Sequence, residues 1–131
     1  IADPSVPMST VVHPADPDAL DDPNRVKVVM DLHGRALYFS RSPIPYVREG
    51  ASMRIWQHVG LYAYRREFLL AFVKLAPTGL ERAESLEQLR ALENGFAIRV
   101  ATIEGSWRSV PVDVPADIAL VEAELRKSGR C

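Results

Sequence analysis

Apolar positions along the chain follow two rhythms. One is the short β-prone run: Met8 to His13, Val26 to Met30, Ala36 to Ser40, Gln57 to Tyr64 and Phe96 to Thr102 are rich in β-branched, aromatic or alternating large and small side chains. The other has helical spacing. Phe68, Leu69, Phe72 and Val73 recur this way within 65–75, Leu86, Leu89 and Leu92 within 80–94, and Ile118, Val121 and Leu125 after Pro115. Gly95 is the expected stop of the second helix, and Pro115 suits the first turn of the third. Asp31 to Arg35 joins two strand-like runs, and Gly34 can take the positive φ of a tight turn, so a β-hairpin is expected over residues 26–40. Strands alternating with helices predict an α/β layered fold.

Between these runs the chain is punctuated by proline. Residues 14–23 combine three prolines with Asp16, Asp18, Asp21 and Asp22, a composition that predicts a solvated connection; their spacing does not match a calcium loop. Pro43 and Pro45 exclude regular structure from Arg41 to Arg48, which leaves two arginines flanking a stiff loop. Such a pair is either a solvated face or a clamp for a carboxylate. His58 and Tyr62, four residues apart in a strand, share a side. At about 100° per residue, Glu87 falls nearly opposite the leucines of its helix and Gln88 on the flank, so periodicity alone makes Glu87 a surface residue. Asp113, just before the last helix, reads on its own as a capping carboxylate.

Composition narrows the functional classes. A chain of 131 residues with 47% hydrophobic and 25% charged residues suits one globular domain. Sixteen basic and seventeen acidic residues leave a formal charge of -1, which gives no field for collecting nucleic acid or an anionic membrane. The single cysteine, Cys131, excludes a disulfide framework and a cysteine metal site. No apolar run approaches the roughly 20 residues of a membrane span, and a cytoplasmic setting is expected. The chain opens at Ile1 without a methionine or a signal-peptide pattern, which predicts a start inside a longer protein. Its seven glycines are scattered singly, so it holds no glycine-rich phosphate loop.

Four stretches, in order, resemble one family. They are Val26 to Asp31 continuing through Ala36 to Arg41; His58-Val59-Gly60-Leu61-Tyr62-Ala63-Tyr64-Arg65; Pro77-Thr78-Gly79-Leu80-Glu81 with Glu84-Ser85-Leu86-Glu87-Gln88-Leu89-Arg90; and Val112-Asp113-Val114-Pro115-Ala116-Asp117. The family is the 3-deoxy-manno-octulosonate (KDO) cytidylyltransferases, or CMP-KDO synthetases. The sequence departs from the common pattern at Gln57, Pro111, Val114 and Ala116.

The resemblance implies a mixed-sheet, three-layer fold of the nucleotide-diphospho-sugar-transferase type, with the 26–40 hairpin as a small dimerisation arm. It makes residues 1–131 the C-terminal, sugar-binding half of one domain, and assigns the CTP triphosphate loop to an N-terminal half absent from this chain. It implies CTP and KDO as substrates, CMP-KDO for lipopolysaccharide synthesis as product, Mg2+ as cofactor and a homodimer as the assembly. It assigns the KDO site to Arg41, Arg48, His58, Tyr62, Glu87 and Gln88, and magnesium and catalysis to Asp113. Two alternatives stand beside it: activation of another sugar acid, and a non-catalytic module for sugar-acid binding or dimerisation.

Overall fold

The computed structural model describes residues 3–104 and 115–127. Five strands form one mixed sheet: β1 (Met8–Pro14), β2 (Lys27–Met30), β3 (Ala36–Ser40), β4 (Trp56–Tyr64) and β5 (Ile98–Thr102), in the order β3-β2-β4-β1-β5. β1 and β5 are parallel, and the other neighbours are antiparallel. Four helices complete the described chain: α1 (Arg66–Phe72), α2 (Gly79–Glu84), α3 (Gln88–Glu93) and α4 (Pro115–Lys127).

Period-two alternation decides which sheet face is covered. Met8, Thr10 and Val12 of β1 and Ile98 and Val100 of β5 are buried on the inner face. There they meet Phe68 and Phe72 of α1 and Leu89 and Ala91 of α3, with Val28, Ala36 and Phe39 from the hairpin. Leu61, Ala63 and Ala101 on the other face are exposed.

The expected hairpin is present, with Gly34 at φ 72° in its turn. It meets β4 only at its base, where Lys27 pairs Gln57 and Val28 pairs Trp56. Its turn instead reaches the far edge of the sheet: Arg35 bridges Arg99, and the Val100 N–H donates to the Gly34 carbonyl at 2.8 Å. The two edge strands thus converge and the sheet curls around its core. Within the chain the hairpin is a structural wall, whatever else it contacts.

The segment 14–23 is more ordered than its composition predicts. A single 3-10 turn (Pro17–Ala19) buries Ala19 against the fold. The larger correction concerns the leucine-rich helix. Residues 80–94 do not form one helix: the chain breaks after α2 at Ser85, which sits in the left-handed region (φ 52°, ψ 49°), and restarts as α3. The Leu86 N–H closes back on the Glu81 carbonyl at 3.2 Å, the bond of a Schellman C-cap. Leu86 therefore turns inward before α3 begins, and Gln88 is buried with Leu89. Three side chains hold the two short helices together. Glu81 pairs with Arg90, Arg90 lies 5.1 Å from the Phe72 ring, and the Glu93 carboxylate accepts the Leu80 N–H (3.1 Å) and the Glu81 N–H (3.3 Å).

A left-handed conformation costs a non-glycine residue about 1–2 kcal/mol, while glycine's extra freedom in the unfolded chain costs about 0.5–1 kcal/mol. Ser85→Gly is therefore expected to stabilise the protein by about 0.5–1 kcal/mol, and Ser85→Val to destabilise it, measured as shifts of the urea midpoint at unchanged slope.

Candidate sugar-acid site

The site begins with an irregularity in the sheet. On β1, Thr10 and Val12 are two residues apart, whereas their partners on β4, Tyr62 and His58, are four apart. The extra residues of β4 form a bulge around Gly60, whose φ of 82° suits glycine. The bulge keeps His58 and Tyr62 on one side with ring centroids 5.2 Å apart, and Phe39 stands edge-on to His58 at 5.2 Å. Tyr62 is followed by Tyr64 at 5.9 Å, and Tyr64 by Phe68 at 6.3 Å. An aromatic row thus runs from the hairpin to α1.

Hydrogen bonding fixes the His58 tautomer. The Thr10 hydroxyl donates its single proton to the Leu61 carbonyl at 2.7 Å, so its 2.7 Å contact with His58 accepts from Nε2–H. That leaves Nδ1 as an acceptor. Burial pushes the His58 pKa down to about 4, which keeps the imidazole neutral near pH 7. Burial also raises the Tyr62 and Tyr64 phenols, with the Glu87 carboxylate adding to both, so each keeps its proton. Glu87 is therefore close enough to be felt by both rings while its side chain stays 68% exposed. Gln88, at the start of α3, is 5% exposed, and its Nε2 is buried without a hydrogen-bond partner among the described residues. A buried, unpaired amide donor is unfavourable by about 1–3 kcal/mol; Gln57 Oε1 and Thr78 Oγ1 are in the same state among the described residues.

The resemblance assigned seven residues to function. Four of them, His58, Tyr62, Glu87 and Gln88, lie on β4 and at the α2–α3 break, linked by the tyrosine–Glu87 interaction. Gln88 does not occupy the outward flank that an unbroken helix predicts, because the Ser85 turn rotates α3 relative to α2. Arg41 joins the break through hydrogen bonds: Nε donates to the Glu84 carbonyl (2.6 Å), Nη2 to the Ser85 carbonyl (3.3 Å) and Nη1 to the Pro23 carbonyl (2.9 Å). Its guanidinium is thus a cross-link with two of its five N–H groups left over, neither fully solvated nor fully free. Arg48 is exposed, and its carbonyl accepts the Ala51 N–H at 3.0 Å. Asp113 lies outside the described residues.

Sequence reasoning missed Lys27 and Glu84. Lys27 is a fully buried ammonium in an apolar strand, a conflict that is itself visible as a lysine amid Val26, Val28, Val29 and Met30. Glu84 gives no such signal, since helical spacing places it among surface carboxylates. It accepts hydrogen bonds from Ser40 Oγ (2.6 Å), the Arg41 N–H (2.9 Å) and Tyr38 OH (3.4 Å).

Beside Tyr62 lies a cavity of ≈ 220 Å³ lined by Ser9, Thr10, Val11, Leu61, Ala63 and Ala101. Ligand pockets typically span about 300–1,000 Å³, so this apolar depression is small for a ligand site. Among the described residues no cluster of three or more histidine, cysteine, aspartate or glutamate side chains could hold a metal ion. Nor is any described helix long and apolar enough to cross a membrane.

The cytidylyltransferase sequence profile matches residues 2–103. The chain belongs to the cytidylyltransferase family. It is 53% identical over 128 residues to the 3-deoxy-manno-octulosonate cytidylyltransferase of Myxococcus xanthus, a match covering 97% of this chain and 51% of that protein. It is 52% identical over 134 residues to the enzyme of the same name from Syntrophotalea carbinolica, covering 95% and 53%. Among solved structures it resembles a CMP:2-keto-3-deoxy-manno-octonic acid synthetase complexed with CTP, with a TM-score of 0.86 and 40% identity over 96% of this chain and 52% of that one. The chain thus spans about half the length of the curated cytidylyltransferases it matches, and its mixed α/β fold agrees with that of the solved structure.

The neutral histidine carries a pH signature. Because its folded pKa lies below the ordinary value near 6.5, the folded state binds fewer protons than the unfolded state between those two values. His58 thus favours the folded state fully above about pH 6.5, and that contribution is lost as pH falls towards 4. The His58 ring is expected to remain unprotonated at pH 5 by NMR, and His58→Phe to flatten the stability–pH curve between pH 4 and 6.5.

Proposed function

We propose that this chain is the sugar-recognising portion of a cytidylyltransferase that activates KDO: the anomeric hydroxyl attacks the α-phosphorus of CTP, an oxygen–phosphorus bond forms, the bond to the β-phosphate breaks, and CMP-KDO and pyrophosphate result. The observation that carries this reading is the pairing of neutral His58 with protonated Tyr62 on β4, with the Glu87 carboxylate acting on the same tyrosine. The set suits a polyhydroxylated acid. His58 Nδ1 and Glu87 accept from hydroxyls, Tyr62 and Gln88 donate, and Arg48 with the spare Arg41 N–H groups offers positive charge to the carboxylate. The names of the curated relatives support the same substrate class.

Phosphoryl transfer of this kind depends on alignment and charge neutralisation. In this reading the chain's residues bind and orient the sugar, while a partner half supplies the triphosphate site. Asp113 would hold part of the magnesium coordination, and the ion would supply Lewis-acid and template chemistry when bound. The working assembly is a cytoplasmic homodimer, with the exposed Leu32 and Leu37 of the hairpin offering apolar contact surface.

The test is magnesium-dependent release of pyrophosphate from CTP and KDO by the full-length polypeptide, with Asp113→Ala as the inactive control. Glu87→Ala is expected to raise the KM for KDO about tenfold, the scale of one lost charge-assisted hydrogen bond, with the KM for CTP changed less than about twofold. An equal loss for both substrates rejects the sugar-site assignment; turnover with a different sugar acid and none with KDO rejects the substrate.

A further inference from the structure

The Arg41 main chain is gripped on both sides of its Cα. Lys27 is fully buried, and its Nζ donates to the Arg41 carbonyl at 2.6 Å and to the Asp22 carbonyl at 3.0 Å. On the other side the Arg41 N–H donates to Glu84 Oε2 at 2.9 Å, while Ser40 Oγ donates to Oε1 of the same carboxylate at 2.6 Å. The Arg41 side chain then reaches over the end of α2 to the Glu84 and Ser85 carbonyls, and to Pro23. Three separate chain segments therefore converge on one residue: the loop 20–25, the end of β3 and the α2–α3 break.

A buried ammonium without a carboxylate in direct contact is costly in an apolar interior. Burial lowers the Lys27 pKa, opposed by Asp22, Asp21 and Glu84. A methionine or leucine would fill the same space without that cost, so the choice of lysine has to be explained by what its donors hold. They hold the point where the chain leaves the sheet. Beyond it lie the irregular residues up to Trp56, including exposed Arg48, and across the clamp lie Glu87 and Gln88.

We infer that Lys27 and Glu84 are positioning residues for the sugar-acid site, acting through the Arg41 main chain to set the arginine-bearing loop against the α2–α3 break. This rests on the proposed sugar site, and it adds two residues that touch no substrate. Two positively charged donors bind a carboxylate best when their spacing is set beforehand, and the clamp fixes where the arginine-bearing loop begins.

The test uses the full-length polypeptide with Lys27→Met, Lys27→Arg and Glu84→Gln. Amide exchange across residues 42–54 and the KM for each substrate are measured. Lys27→Met is expected to speed exchange at 42–54 about tenfold relative to β1 and to raise the KM for KDO by about tenfold, leaving the KM for CTP within about twofold. Lys27→Arg should restore part of both. Should Lys27→Met not fold, Glu84→Gln, which weakens the other grip on the Arg41 main chain, decides by the same two readings. Unchanged exchange at 42–54, or equal changes in both KM values, overturns the inference. If the wild-type polypeptide turns over no KDO, the sugar assignment has failed, and exchange alone still decides whether the clamp orders the loop.

Discussion

The turn at Ser85 is the constraint on which the site depends. A continuous helix through residues 80–94 would leave Gln88 on its flank and Glu84 pointing at random into solvent. One residue in the left-handed region changes the axis, so that Leu86, Gln88 and Leu89 face the core while Glu87 stays at the surface. The strain is held by contacts on both sides. Arg90 ties α3 to Glu81 of α2 and lies over Phe72, and Glu93 caps the start of α2. Arg41 covers the turn itself by bonding the Glu84 and Ser85 carbonyls.

Burial and charge are balanced differently on the two sides of that turn. Around His58 and Tyr62, burial dominates: the imidazole is neutral and the phenols stay protonated, so these groups exchange hydrogen bonds without carrying charge. Around Arg41, the lysine and arginine donors go to backbone carbonyls and the Glu84 carboxylate accepts the Arg41 N–H, which fixes geometry. A hydroxyl-rich acid requires both kinds of group, neutral donors and acceptors for its hydroxyls and fixed cations for its carboxylate.

Much of the fold was legible because it follows local rules. All five strands stand where β-prone runs predicted them, the hairpin turn has its glycine, and α1 and α4 lie within their periodic stretches. The break in the leucine-rich helix was not legible, since glycine is the usual signal for a left-handed stop and Ser85 carries none. Its leucine spacing survives the break because Leu86 and Leu89 still reach one core. The curl that brings Arg35 to Arg99 depends on pairing between distant segments, which periodicity does not encode. For the site, the resemblance pointed to His58, Tyr62, Glu87 and Gln88, and the structure brings these into one neighbourhood. The pairwise roles of Thr10, Lys27 and Glu84 come from tertiary contacts alone. Lys27 was nonetheless visible as an anomaly, a lone cation inside a run of valines.

The most direct measurement of the central claim is the NMR response of the Gln88 side-chain amide in the full-length polypeptide during titration with KDO and, separately, with CTP. KDO is expected to shift the Gln88 Nε2 resonances together with the His58 ring, and CTP alone to leave both near their starting positions. Shifts at these groups with CTP and none with KDO would contradict that claim.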